Sequence, residues 1–198
     1  ITLSSSSNEI GPSFLTTASR NYLSARILFL NGQFYDAGIL AHEAIEKIMK
    51  AALYLKDPKR SPVRGHVLTS LRPGVEAELG IDLSEFDTLF NYFEVCYDYR
   101  YPDDPKPKDF ATGTVYVKLL DKVFISLHSK CLELIQDDLV RNRSGIFEQC
   151  VDYFLDRHVQ KVELLLEHNE NLTIAEIDNI KVFWHKKGYY IKDNQGVT

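Results

Sequence analysis

The feature that most constrains the fold is the stretch 34–55, in which apolar residues recur at intervals of three and four. They form one broad, alanine-rich face, made up of Ala37, Leu40, Ala41, Ala44, Ile45, Ile48, Ala51, Ala52 and Leu55. This spacing is the period of an α-helix, and roughly twenty residues are too many for one strand. Small side chains on such a face let a neighbouring helix approach closely. The stretch therefore predicts a long helix inside a helical bundle.

The same spacing predicts helices on both sides of this stretch. A preceding helix starts near residue 14, ends at Asn31-Gly32 and carries a face of Phe14, Ala18, Tyr22, Ala25 and Phe29. A short helical piece after residue 65 ends near Pro73-Gly74 or at Gly80. A further helix is predicted over 84–99. Its inward face carries Phe86, Leu89, Phe90, Phe93 and Cys96. Further helices are predicted over 113–139, 146–168 and 173–188.

These elements predict an all-α protein, with no convincing strand. We expect a flexible tail over 1–11, an antiparallel up-and-down helical bundle over 12–139 and a helical C-terminal extension over 140–198. The segment that follows Arg100 contains Pro102, Pro105 and Pro107, which exclude a helix there.

Charge and cysteine usage narrow the classes of function. The formal net charge is −5, so no global positive field attracts nucleic acid, and a contact with RNA needs a local basic patch. The densest such patch holds Lys56, Lys59, Arg60 and Arg64. Three cysteines without a CxxC pair favour free thiols in a reducing cytoplasm and no metal site. Because residues 1–10 lack a signal-peptide pattern and no apolar run could span a bilayer, we expect a cytoplasmic protein without membrane contact.

Three motifs follow one another along the chain. The first is the alanine-rich helix that ends in Ala44-Ile-Glu-Lys-Ile-Met-Lys-Ala51. The second is Gly65-His-Val-Leu68, and the third is Tyr97-Asp-Tyr-Arg-Tyr-Pro-Asp103. Together they resemble the motifs of HEPN domains (higher eukaryotes and prokaryotes nucleotide-binding). Their order and spacing agree with the family over about 130 residues. The resemblance implies the helical-bundle fold described above.

The resemblance also implies two kinds of function. Many family members are metal-independent ribonucleases that use an arginine followed, after four to six residues, by a histidine. Others lack that histidine and are thought to bind nucleotides or to accompany a small nucleotidyltransferase. Here Arg100 stands at the expected place, but the next histidine is His128. Since the general base is missing from the expected position, the resemblance favours binding without RNA cleavage.

The candidate nucleotide- or phosphate-binding residues are Arg100, Tyr101, Asp103, Asp104, Lys47 and His66. Arg100 can present its guanidinium to phosphate, or it can bond the last helical carbonyls or form a salt bridge at a dimer interface. The two aspartates can accept bonds from a ribose or hold Mg²⁺, or they can lie in a solvated turn.

Lys47 and His66 also have simpler interpretations. Lys47 follows Glu43 by four residues, so a helical ion pair explains it as well as a pocket does. Arg60 and His66 match the ribonuclease spacing, which we interpret as coincidence because they lie in the loop after the long helix. We interpret His66 as a capping or packing histidine rather than a catalyst.

The resulting hypothesis is a non-catalytic protein that binds a nucleotide or RNA phosphate near Arg100. The resemblance places it in a two-component system of toxin–antitoxin or defence type, with a small nucleotidyltransferase as partner and no cofactor. We also expect a homodimer that brings the two Arg100 residues together. Two alternatives remain open: a ribonuclease that combines Arg100 with a histidine from elsewhere, such as His66, and a pure protein–protein interaction module.

Overall fold

The computed structural model describes residues 10–98, 100, 115–145 and 169–171. This part of the chain is helical and contains no strand. The helices are α1 (Ile10–Leu30), α2 (Phe34–Lys56), α3 (Leu68–Leu79), α4 (Asp87–Asp98), α5 (Val115–Leu134) and α6 (Asp138–Arg143), and a 3₁₀ turn, Ser84–Phe86, precedes α4. The predicted all-α helical-bundle fold is confirmed.

The long helix α2 is central to the bundle. It packs against α1, with which it forms a hairpin through a short turn, and also against α3, α4 and α5. Its alanine-rich face is buried in the core as predicted, and so are the inward residues predicted for α1 and α4, apart from the half-buried Phe14, Leu40 and Leu55. Burial of this face holds the loop after α2 and the end of α4 beside each other.

Several helix bounds differ from those predicted. α1 begins at Ile10, so it includes Gly11, which was expected in the tail. Gly11 is buried and packs closely on Leu55: an added Cβ would lie 2.8 Å from the Leu55 side chain. α3 runs through Pro73 and ends at Gly80, which adopts the left-handed conformation (φ 64°) typical of a helix C-terminus.

The continuous helix predicted over 113–139 is wrong at its C-terminal end. α5 ends at Leu134, and α6 begins at Asp138. Arg141 bonds the Ile135 carbonyl through its side chain, and the Asp137 carboxylate accepts from the Val140 N–H. These local bonds satisfy the backbone groups that the break exposes. The predicted start of this helix and the helices predicted over 146–168 and 173–188 lie outside the described residues, apart from 169–171.

Gly38 is the point of closest approach between α2 and α4. A Cβ at this position would lie 2.4 Å from Sγ and 2.8 Å from Cβ of the buried Cys96. Cys96 Cβ cannot move unless the α4 backbone shifts with it. Only glycine therefore fits here while the two helices keep their separation.

Replacing Gly38 with alanine is expected to lower the free energy of unfolding by about 1–2 kcal/mol, because the overpacking cost exceeds the gain in helix propensity. Gly74→Ala is the matched control. It also lies in a helix, but its nearest neighbour is Leu53 Cδ2 at 3.9 Å, an ordinary contact. The control should gain about 0.5–1 kcal/mol. Urea unfolding of both variants gives the comparison, and equal gains in stability would contradict the close packing.

Candidate functional site

Tyr97, on the last turn of α4, is surrounded by side chains from two other parts of the chain. The His42 ring of α2 stacks on it with centroids 4.0 Å apart, and the His66 ring lies 5.7 Å away. Cζ of Arg100 lies 3.3 Å from the Tyr97 ring centroid. A guanidinium over an aromatic face is a favourable cation–π arrangement. We call these four residues, together with Glu46, the Tyr97 cluster.

Glu46 fixes the position of His66. Its carboxylate, only 7% exposed, accepts a hydrogen bond from Lys50 Nζ at 2.6 Å and contacts His66 Nδ1 at 3.0 Å. Lys50 also donates to the Gly65 carbonyl at 2.9 Å, which holds the backbone next to the histidine. The His66 side chain is 61% exposed. The imidazole is thus anchored through Nδ1 while much of its ring faces solvent.

The charge of Glu46 is stabilised despite burial. Burial by itself raises the pKa of the Glu46 carboxyl, but hydrogen bonds from Lys50 and His66 outweigh it, and the pKa lies below its usual range. The carboxylate therefore stays ionised near neutral pH. In that state it accepts a hydrogen bond from the Nδ1–H of His66, so that Nε2 is the nitrogen with a free lone pair when the ring is neutral.

His42 lies beneath this surface. It is 1% exposed, and its buried Nδ1 has no hydrogen-bond partner. Burial lowers the pKa of His42 to about 4, although the nearby Glu46 raises it. The ring is neutral at physiological pH, and it supports Tyr97 by stacking.

Arg100 bonds the end of α4 and still remains exposed. Its Nε donates to the Tyr97 carbonyl at 2.8 Å, as expected for a basic residue at a helix C-terminus. Arg100 is exposed. Of the interpretations left open for it, the bond to a last-turn carbonyl is observed.

Comparison with known families decides the classification. The model of the HEPN domain matches residues 12–122, more than half of the chain. The chain belongs to the HEPN domain family. The match contains every residue of the Tyr97 cluster. No curated protein and no solved structure matches the chain.

Two predicted site residues of this HEPN domain, His66 and Lys47, have different surroundings in the structure. His66 joins the Tyr97 cluster: it does not cap α3, which begins without a side-chain cap, but its ring packs beside Tyr97 and bonds Glu46. Lys47 instead donates to Glu43 at 2.9 Å, so the expected helical ion pair is confirmed. Asn21 of α1 donates to the same carboxylate.

Two histidines could complete the arginine–histidine pair of the ribonuclease motif: His66, which follows Arg60 at the right spacing, and His128, the first histidine after Arg100. Arg60 forms its ion pair with Glu78 of α3, whereas His66 bonds Glu46, so the Arg60–His66 spacing brings no functional pair together. His128, the first histidine after Arg100, is buried in α5, and its Nε2 lies 3.0 Å from the Ser144 carbonyl oxygen. His66 is therefore the exposed histidine of the cluster.

The other predicted site residues, Tyr101, Asp103 and Asp104, lie outside the described residues. Sequence reasoning did not single out His42 and Tyr97. A usable signal existed: His42 precedes Glu46 by one helical turn, and Tyr97 precedes Arg100 by three residues in the family motif. In the described residues, no group of histidine, cysteine and acidic side chains could hold a metal ion, and no helix has the length and apolarity to cross a bilayer.

Proposed function

We propose that this HEPN domain binds a nucleotide or an RNA phosphate at the Tyr97 cluster. The observation that carries the proposal is the exposed Arg100 guanidinium, held over the Tyr97 ring next to His66. A planar guanidinium offers several donors in a geometry that suits phosphate oxygens. Stacking on Tyr97 and the bond to its carbonyl reduce the freedom of the side chain before a ligand arrives.

The neighbouring rings support recognition of the base or of a second phosphate oxygen. The largely exposed His66 ring presents aromatic surface beside Tyr97, and unpaired bases stack on such surfaces. Glu46 does not repel the ligand strongly, because its charge is offset by Lys50 and it is buried behind the exposed rings. In the proposed arrangement the Arg100 guanidinium faces the ligand, and the Glu46 carboxylate lies further inside.

The wider setting of this binding is proposed from the family. We place the chain as a non-catalytic, cytoplasmic component of a two-component system of toxin–antitoxin or defence type, with a small nucleotidyltransferase as partner. A homodimer would bring two Arg100 residues together. Sedimentation of the purified protein at micromolar concentration tests the dimer, and a monomer would contradict it.

Arg100→Ala is expected to weaken binding of AMP and of a 5′-phosphorylated RNA by about 10–100-fold, since a hydrogen bond to a charged group contributes about 1.5–3 kcal/mol. Lys130→Ala removes an exposed cation of α5 that pairs with Glu133, and it should leave affinity unchanged. Titration calorimetry measures both variants. Equal affinities of wild type and Arg100→Ala would favour the protein–protein interaction module instead.

A second candidate function is metal-independent RNA cleavage. It is favoured by the position of His66, whose ring lies beside Tyr97 and whose Nδ1 is oriented by Glu46. Nε2 would accept the proton of a ribose 2′-hydroxyl as its oxygen attacks phosphorus to form a 2′,3′-cyclic phosphate. The 5′-oxygen leaves and takes up a proton from solvent, while Arg100 stabilises the charge that develops on the phosphoryl oxygens. In this scheme His66 takes the role of the histidine that is missing after Arg100.

A further inference from the structure

The loop between α2 and α3 folds back along α2. Three hydrogen bonds join it to successive turns of that helix, all about 3 Å long: Val63 with Tyr54, Gly65 with Lys50, and His66 with Glu46. The loop residues advance while the helix residues recede, so the loop runs antiparallel to α2. His66, near the end of the loop, belongs to the Tyr97 cluster, and the first loop residues lie at the C-terminal end of α2.

This path spreads positive charge along the helix. Lys56, Lys59 and Arg64 are exposed, and none of them takes part in an ion pair among the described residues. Arg60 differs, because Glu78 neutralises it. We call Lys56, Lys59 and Arg64 the basic strip. Arg64 stands two residues before His66, and the lysines stand near the start of the loop, so the strip begins beside the Tyr97 cluster and leads away from it.

The length of the strip exceeds one nucleotide. Eight residues of helix separate Glu46 from Tyr54, a rise of about 12 Å at about 1.5 Å per residue. Successive phosphates of a helical strand advance by about 3.4 Å. A ligand that contacts both Arg100 and the basic strip must therefore carry several phosphates in a row. The overall net charge of −5 makes such a local concentration of cations the part of the surface suited to a polyanion.

We propose that the basic strip and the Tyr97 cluster form one binding track for single-stranded RNA of several nucleotides. An unpaired base stacks on the exposed His66 ring, the adjacent phosphate lies at Arg100, and the following phosphates lie along the strip. A duplex fits less well because its base faces are covered by their neighbours. This inference rests on the proposed function and adds the ligand class: an oligonucleotide strand rather than a mononucleotide.

The test compares wild type with the triple variant Lys56→Gln, Lys59→Gln, Arg64→Gln by fluorescence anisotropy on a ten-nucleotide oligo(A) RNA at several salt concentrations. Each phosphate contact on a single strand contributes about 0.7 to the slope of log K against log salt. The triple variant should flatten that slope by about 2 while AMP affinity changes less than about 2-fold. The charge-matched control is Lys118→Gln, Lys122→Gln, Lys130→Gln on exposed positions of α5, and it should keep the wild-type slope.

An unchanged slope in the strip variant, an equal change in the control, or an equal loss of AMP and RNA affinity would overturn the track. Arg100→Ala separates this failure from failure of the proposed function. RNA binding that depends on Arg100 but not on the basic strip would contradict the binding track and keep the proposed function. An acidic protein would then be the better ligand for the strip. Absence of both AMP and RNA binding in wild type would remove both proposals.

Discussion

Replacing Asp121 with alanine is expected to lower the free energy of unfolding by about 3–5 kcal/mol, the usual cost of removing one partner of a buried ion pair. The Asp121 carboxylate of α5 accepts hydrogen bonds from Arg26 Nε and from the Tyr22 hydroxyl, both at 2.7 Å. Arg26 and Asp121 are each 1% exposed. Without the carboxylate, a guanidinium charge loses its nearest anion inside the core.

The contribution of the Arg26–Asp121 ion pair to stability depends on its burial. Burial raises the pKa of Asp121, and the Arg26 charge and the Tyr22 hydrogen bond oppose that rise. Glu133→Ala is the control on the same helix, since its ion pair with Lys130 is exposed and should contribute less than about 1 kcal/mol. Urea unfolding followed by circular dichroism measures both variants. Similar losses in the two would mean that the buried pair does not stabilise the bundle.

The second large effect concerns RNA cleavage. If the HEPN domain cleaves RNA, His66→Ala is expected to lower the single-turnover rate by about 10²–10⁴-fold, the usual contribution of a general base. Imidazole is the side chain whose ordinary pKa, about 6.5, best suits proton transfer near neutral pH. Glu46→Gln should lower the rate less, because it removes the charge that orients His66 and keeps a side chain of the same size.

Arg60→Ala is the decisive control for this experiment. Arg60 and His66 have the sequence spacing of the ribonuclease motif, but Arg60 pairs with Glu78, so its loss should leave cleavage unchanged. Arg100→Ala should lower the cleavage rate as well as weaken binding, because the guanidinium contacts the phosphate in both. Intact RNA after long incubation with wild type would leave phosphate binding as the function, and cleavage that survives His66→Ala would exclude His66 as the base.

The sequence alone determined the fold class and the family. The three-and-four spacing of apolar residues over 34–55 is dictated by the helical period, so it specifies a buried helical face whatever packs on it. Helix-breaking residues located the break at Asn31-Gly32 and left two possible ends for α3, near Pro73-Gly74 or at Gly80, of which the structure has the second. Arg100 could also be placed at a helix end, because the prolines that follow exclude a continued helix.

Only the tertiary structure decided which side chains meet. The Tyr97 cluster joins α2, the following loop and α4, and nothing local in the sequence says that His66 folds back to Glu46 while Arg60 turns to Glu78. The polar core is similarly non-local: Asn169, from the segment after the family match, donates to the Tyr22 hydroxyl of α1 at 2.8 Å. Helical periodicity reports which face is buried, whereas the choice of partner depends on distances between segments far apart in the chain.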